Sequence, residues 1–510
     1  MRAVRSRLWS AVALLAVVTS VQAQDLASFE KRTTVRKLDN GLTVIIMERP
    51  EAPVFSYATI ANVGSAQEVP GITGLAHMFE HMAFKGNDVV GTNDWNSEQE
   101  ALKKVEQAYL AYDRERRREV GRDEEKVKQL DKVWKDAIAA ADKFVVTDEF
   151  GKVVERAGGV GMNAFTSNDI TGYFFSMPSN QLELWAYLES ERYRRPFLRQ
   201  FYKERDVVME ERRMRTESRP IGRLFEQFLS AAFIAHPYGV GVVGHMSDLQ
   251  SFSADDATEF FAKQYVPANL VVAVVGDVKA SVAMPVIEKY FGRLPKGAAP
   301  EPLRTVEPKQ NSERTVILRE ASQPFYLEGY HRPSGTHPDE AVYNAISMLL
   351  STGRTSRLYK SLVRDKKLAV NASGFTGFPG DKYPSLFTFL IVPTQGHTAT
   401  EMVEPLRAEI ERLKNEDVTP EELQSIKTRA KASLLRQLDS NSGMALQLAA
   451  AQTLRGDWRE LFREIENIDK VTAADIRRVA NETFVASNRT VGMIERQAPA
   501  AKPAAKGDAQ

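Results

Sequence analysis

The chain contains no cysteine. Disulfide frameworks, thiolate metal ligands and cysteine nucleophiles are therefore excluded together. An excess of charge of one sign is also missing: 68 Lys and Arg stand against 67 Asp and Glu, a formal net charge of +1. That balance gives no argument for nucleic acid or an anionic membrane as partner. Long hydrophobic runs are lacking beyond the first two dozen residues. Leu8 to Val18 is apolar but short of the roughly 20 residues that span a bilayer, so no transmembrane segment is expected. Basic Met1-Arg-Ala-Val-Arg-Ser-Arg7 precedes it and small residues follow at Val21-Gln-Ala23. This reads as a signal peptide over 1–23, cleaved near Ala23. The mature chain is expected in a Gram-negative periplasm, or secreted, and no Cys after the cleavage point offers a lipid anchor.

Histidine is scarce as well, seven in all, which gives weight to how two of them are placed. The run Gly74-Leu-Ala-His-Met-Phe-Glu-His-Met-Ala-Phe-Lys-Gly86 sets His77, Glu80 and His81 in an H-x-x-E-H array. Positions i, i+3 and i+4 share a helix face, so two imidazoles and a carboxylate converge. Imidazoles one turn apart can bind Zn²⁺ at ~2.0–2.1 Å, and the Glu between them is placed to take a proton from a water. The pattern inverts H-E-x-x-H and is that of the inverzincins. A helix with two solvated His and a Glu is the plainer alternative.

A hydrolytic metal site needs a third protein ligand and keeps a fourth position open. Tyr202-Lys-Glu-Arg-Asp-Val-Val-Met-Glu-Glu-Arg-Arg213 reads as a charged helix in which Glu204 and Glu211 share nearly one face. Glu210 points about 100° away. These segments resemble the pitrilysin/insulysin superfamily of zinc metallopeptidases, most closely its processing-peptidase branch. Asn40-Gly-Leu-Thr-Val44, Gly158-Gly159 leading into Asn163-Ala-Phe-Thr166, His236-Pro-Tyr-Gly239, and Pro267-Ala-Asn-Leu270 with Gly276-Asp277 extend the resemblance over nearly all of the mature chain. It implies Zn²⁺ as cofactor, Glu80 as general base, Glu211 as third ligand beside His77 and His81, and Glu204 as the carboxylate that orients a ligating His. For Glu204, an ordinary solvated helix charge remains the alternative.

The fold implied is α+β, with two homologous mixed α/β rolls forming one half of a clamshell. A duplication in the sequence agrees with two halves. Ser253-Ala-Asp-Asp-Ala-Thr-Glu-Phe-Phe-Ala-Lys-Gln-Tyr-Val-Pro-Ala-Asn269 aligns without gaps with Thr472-Ala-Ala-Asp-Ile-Arg-Arg-Val-Ala-Asn-Glu-Thr-Phe-Val-Ala-Ser-Asn488. Ser253 and Thr472 read as helix N-caps, and Leu270 to Val275 and Arg489 to Ile494 as the strands that follow. The expected domains are 24–290 and 311–497, joined by a Pro/Gly-rich linker over 291–310 and followed by a disordered tail over 498–510. Only the first half carries the His motif.

Glu211 follows His81 at a longer distance than the resembled family usually shows, so something is inserted. Residues about 95–155 hold the surplus. Leu102, Val105, Tyr109 and Tyr112 recur at helical spacing, as do Val127, Leu130, Trp134, Ile138 and Ala141. A helical hairpin turning near Gly121 and projecting near the cleft is expected, either as a lid or partner-docking arm or as mere surface decoration.

Asn163-Ala-Phe-Thr-Ser-Asn-Asp-Ile-Thr-Gly-Tyr-Phe-Phe175 alternates like strands, and a sheet edge beside a metal can pair with an extended peptide. The resemblance puts Asn163 and Ala164 on that edge, with Asn163 a candidate to hold a substrate oxygen, or else an Asn closing the turn after Gly161. The resembled peptidases also use an Arg and a Tyr from the second half to bind substrate and polarise the scissile carbonyl. Arg364 fills the Arg position, but Val370 stands where the Tyr is expected. Losing such a donor costs ~10²–10³ in rate. Either Tyr359 or another Tyr nearby substitutes, or a paralogous partner bearing the Arg/Tyr pair supplies it, as in heterodimeric members of the branch; a homodimer is also possible. The expected function is a zinc endopeptidase acting on peptides or unfolded segments, the alternative a non-catalytic structural or peptide-binding subunit.

Overall fold

A computed structural model describes residues 26–496; the expected signal peptide and tail lie outside the described residues. The first sheet is built from β1 (Thr33–Lys37), β2 (Thr43–Glu48), β3 (Val54–Ala61), β4 (Val160–Thr166), β5 (Thr171–Pro178) and β6 (Leu270–Gly276), in the order β1-β2-β6-β3-β5-β4. The unbroken apolar, Val-rich run of β6 suits a strand covered on both faces. Accordingly it lies mid-sheet, parallel to β2 and antiparallel to β3, with every residue buried. Among the described residues β4 ends the sheet and pairs only with β5, through a bulge between Val160 and Asn163.

The second sheet holds β7 (Arg314–Glu320), β8 (Phe325–Arg332), β9 (Ala369–Phe378), β10 (Ser385–Pro393) and β11 (Arg489–Arg496), in the order β7-β11-β8-β10-β9. Strand for strand this repeats β2-β6-β3-β5-β4. The duplicated helices begin with capping boxes at Ser253 and Thr472, and each leads into the mid-sheet strand, β6 or β11. The two-roll α+β architecture is thus present in both sheets.

Six helices matter for the site: α1 (Leu75–Met82), α2 (Trp95–Arg116), α3 (Glu124–Ala141), α4 (Phe201–Arg212), α5 (Pro220–Ala232) and α6 (Asn441–Arg455). α2 and α3 pack side by side and are joined through Gly121 at φ +70°. Their apolar stripes close on α4 and do not stand free in a cleft. Tyr109 and Trp134 meet Tyr202 at centroid distances of 4.4 and 5.2 Å, and the Arg205 guanidinium lies 4.8 Å over both Tyr109 and Tyr202. Aromatic pairs at these spacings add to area burial, so the hairpin braces the helix that carries Glu204 and Glu211.

The halves are interlocked. α5 belongs to the first half in sequence but packs on β7 and β11, with Leu224, Phe228 and Leu229 against Leu327, Leu386 and Ile494. A Cβ at Gly329 would stand 2.7 Å from the Phe228 ring, so only glycine permits this approach. In return, α6 from the second half covers β3 and β6, where Met444, Ala445 and Leu448 meet Ala58, Ile60 and Ala273. The linker has no helix or strand over 295–311. Glu307 anchors it by accepting the N–H groups of Ile234, Ala235 and His236 at 3.0, 3.0 and 2.9 Å. Asp169 bonds across the halves, accepting from the N–H groups of Asp381 and Lys382 at 2.7 and 3.1 Å. No helix among the described residues is long and apolar enough to cross a membrane.

Candidate metal centre

α1 is only eight residues long, and its start is held from outside. Gly74 turns the chain at φ +97°. The buried Glu68 carboxylate then accepts the N–H groups of Gly74 and Ala76, both at 2.7 Å, satisfying donors that a helix start leaves unpaired. Burial pushes the Glu68 carboxyl up to about 8, although the two amides pull it the other way. Asp248 fixes the preceding loop by accepting from Gly71 N, Thr73 N and Thr73 Oγ1 at 3.0, 3.2 and 2.7 Å.

On this anchored turn the rings of His77 and His81 lie 4.9 Å apart at 82°. α4 brings Glu211 against them, one oxygen toward each: Oε1 is 3.5 Å from His77 Nε2, and Oε2 is 3.2 Å from His81 Nε2. The candidate ligand atoms of the three residues all lie within 4.8 Å of one another. A tetrahedral centre with bonds of ~2.0–2.1 Å sets its ligand atoms about 3.3–3.4 Å apart, so the group fits a zinc ion. Burial pulls the His77 imidazole down to about 4, against the Glu211 charge; it is neutral at neutral pH, with a lone pair to offer.

His81 is oriented from behind. Its Nδ1 is 3.4 Å from Glu204 Oε2, and Lys85 pairs with the other Glu204 oxygen. The Glu204 hydrogen bond raises the His81 pKa, outweighing burial. Burial raises the Glu204 carboxyl, but the bonds from His81 and Lys85 outweigh it and leave it below the ordinary value. This is the arrangement of a carboxylate behind a ligating imidazole, which fixes ring orientation. Glu80 is half-buried on α1 and is not one of the three converging groups. Of the adjacent glutamates, Glu211 is 13% exposed and faces the imidazoles, whereas Glu210 is 58% exposed and pairs with Arg213 at 2.9 Å.

α1 packs beside β4, the outermost strand of the sheet. Ala164 is buried there; Asn163 is exposed, and its side-chain oxygen accepts from the Ala164 N–H at 2.9 Å. The second-half residues are not brought into the group. Arg364 is exposed on the π-helical turn Tyr359–Asp365 and pairs with Asp365 at 2.6 Å, and Val370 lies exposed on β9. The residues that sequence reading passed over are Glu68, Asp248, Lys85 and Arg215, whose guanidinium pairs with Glu211 at 2.7 Å. Lys85 and Arg215 sit four residues from His81 and Glu211, a helical spacing that could have marked them. Glu68 and Asp248 act through loop backbone, which leaves no spacing to read.

Comparison with known proteins places the chain in a family. The insulinase-type peptidase family M16 profile matches residues 43–115, which contain both imidazoles, and the peptidase M16 inactive domain profile matches 251–430. Zinc protease PqqE of Helicobacter pylori is 30% identical over 496 residues, covering 95% of this chain and 97% of that protein. The chain belongs to the M16 peptidase family. A protease structure from Helicobacter pylori superposes with a TM-score of 0.75 at 29% identity, over 91% of this chain and 99% of that one. The periplasmic protease PqqL of Escherichia coli shares the fold at 17% identity and a TM-score of 0.66, over 92% of this chain but 48% of its own. In fold, this M16 chain thus equals about half of that longer one. Glu211 lies between the two profile matches, so its place in the group rests on the geometry above.

Proposed function

We propose that this M16 chain is a zinc-dependent endopeptidase of the periplasm that hydrolyses peptides or unfolded polypeptide segments. The observation that carries the reading is the meeting of Glu211 of α4 with His77 and His81, which share their helix turn with Glu80, beside a sheet edge that bears no further strand among the described residues. Zinc held by these three residues supplies a Lewis acid that polarises the scissile carbonyl and acidifies water. Glu80 takes the proton from the attacking water and passes it to the leaving amine. Glu204, steadied by Lys85, keeps the His81 ring in its ligating orientation. The outer edge of β4 at Asn163 and Ala164 aligns an extended substrate through backbone hydrogen bonds, which favours sequence-tolerant capture.

Arg364 serves substrate binding in this reading, and the donor absent at Val370 comes from a partner subunit bearing the Arg/Tyr pair. The periplasmic assignment rests on Met1 to Ala23. A quenched-fluorescence peptide or casein assay tests the activity: hydrolysis should vanish with chelator and return with added zinc. Chelator-insensitive hydrolysis, or zinc-loaded protein that binds peptides without cutting them in the presence of its partner, would overturn it in favour of a peptide-binding subunit.

A further inference from the structure

Glu211 has a neighbour that the chemistry above leaves unused. Arg215 Nη1 lies 2.7 Å from Glu211 Oε1, while Glu211 Oε2 faces His81 Nε2 at 3.2 Å. Oε1 also faces His77 Nε2 at 3.5 Å, so the guanidinium pairs with the oxygen turned toward His77, and the oxygen turned toward His81 is left to that imidazole. The Arg215 side chain is 66% exposed and Glu211 only 13%, so the guanidinium covers the carboxylate from the solvent side.

The backbone beneath Arg215 is fixed. After α4 the chain enters a π-helical turn over Arg213–Glu217, closed by Ser218 N donating to Arg213 O at 2.7 Å. α5 crosses this turn at Gly222, where a Cβ would stand 2.2 Å from the Arg215 carbonyl oxygen. Short π segments within helices are frequent at functional sites. The two arginines just before Arg215 in the chain point elsewhere: Arg212, the last residue of α4, inward to Gly244 O and Glu226, and Arg213, the first of the turn, outward to Glu210. Of the three, Arg215 alone addresses the metal group.

We propose that Arg215 is a positioning residue that holds the Glu211 carboxylate in the orientation in which it faces His77 and His81, so that the three groups stand ready to take a zinc ion. The inference rests on the zinc reading above. Removing a partner of a ligating carboxylate typically costs 10–100-fold in metal affinity, and Lys keeps the charge but not the planar fork. The test measures zinc affinity of the full chain by competition with a chromogenic chelator, together with the visible spectrum of the Co²⁺-loaded protein, for wild type, R215M, R215K and R213M. R215M should bind zinc about 10–100-fold more weakly and shift the cobalt bands, with R215K between it and wild type and R213M unchanged. Wild-type affinity and an unaltered cobalt spectrum in R215M overturn the assignment. So does a lowered apo melting temperature with unchanged affinity of the folded fraction, the mark of a merely structural role. If R215M fails to fold, R215K is decided by the same two readouts. A wild-type chain that takes up no zinc overturns the zinc reading instead, before Arg215 is in question.

Discussion

Glu80→Gln separates proton transfer from metal holding. Glu80 is half-buried on α1, three residues after His77 and one before His81, and is not among the three groups whose ligand atoms converge. Gln keeps the shape and helix propensity of the position and removes only the capacity to accept a proton. The zinc content of the variant should therefore match wild type. Loss of a positioned general base costs ~10²–10⁴ in rate, which at 1.36 kcal/mol per decade raises the barrier by about 3–5 kcal/mol. The loss should fall on kcat, with KM little changed, because strand-edge binding along β4 does not involve Glu80. Metal analysis by mass spectrometry and steady-state kinetics on a quenched peptide give both numbers from one preparation. Turnover within a few-fold of wild type, or zinc lost in parallel with activity, would refute the division of labour.

Loss of a ligand should look different: His77→Ala and Glu211→Gln should lose both zinc and activity, whereas Glu210→Gln, altering an exposed pair with Arg213, should keep most of each by the same metal analysis. The chain alone should bind zinc yet cut slowly, and titration with an Arg/Tyr-bearing paralogue should raise the rate on the order of 10² or more along a saturating curve. Full activity of a verified monomer or of a homodimer would end that idea and make Tyr359→Phe the next measurement. Leu448→Ala empties a fully buried position where α6 lies on the first sheet, and should cost about 2–5 kcal/mol. Calorimetry should show one transition moved down as a whole; two separated transitions would mean that the halves unfold independently.

The parts of the site that were legible in advance are those whose partners are close in sequence. His77, Glu80 and His81 occupy one turn, and Glu204 and Glu211 are two turns apart on one helix, so spacing alone states which side chains share a face. β6 was legible because a buried mid-sheet strand needs an unbroken apolar run, and β11, which carries Thr490 and Gly492, because the capped helix before it aligns without gaps with the one before β6. Spacing also marked the buried stripes of α2 and α3, but a stripe states only that something covers it. That the cover is Tyr202 and Arg205 of α4 is a long-range fact. Glu68 was illegible for a related reason: it acts on backbone amides of another element, and a loop glutamate that does so has the same letters as one that faces water. The partners of α5 and α6 were hidden likewise, since an amphipathic helix specifies its own apolar face and not which half of the chain will meet it.

The crossed packing of α5 and α6 bears on how a substrate gets in. A protease built from two lobes can open by hinging them apart, but here such a hinge would peel Phe228 from the second sheet and Leu448 from the first, exposing two apolar faces to water. The pair of lobes is consequently one jaw. On the proposed function, admission and release of peptide would then come from motion of this jaw against another molecule, or from the loops bordering β4. For the same reason, a nick within 295–311 should leave two pieces that cling together, each completing the other's core like the halves of a buckle.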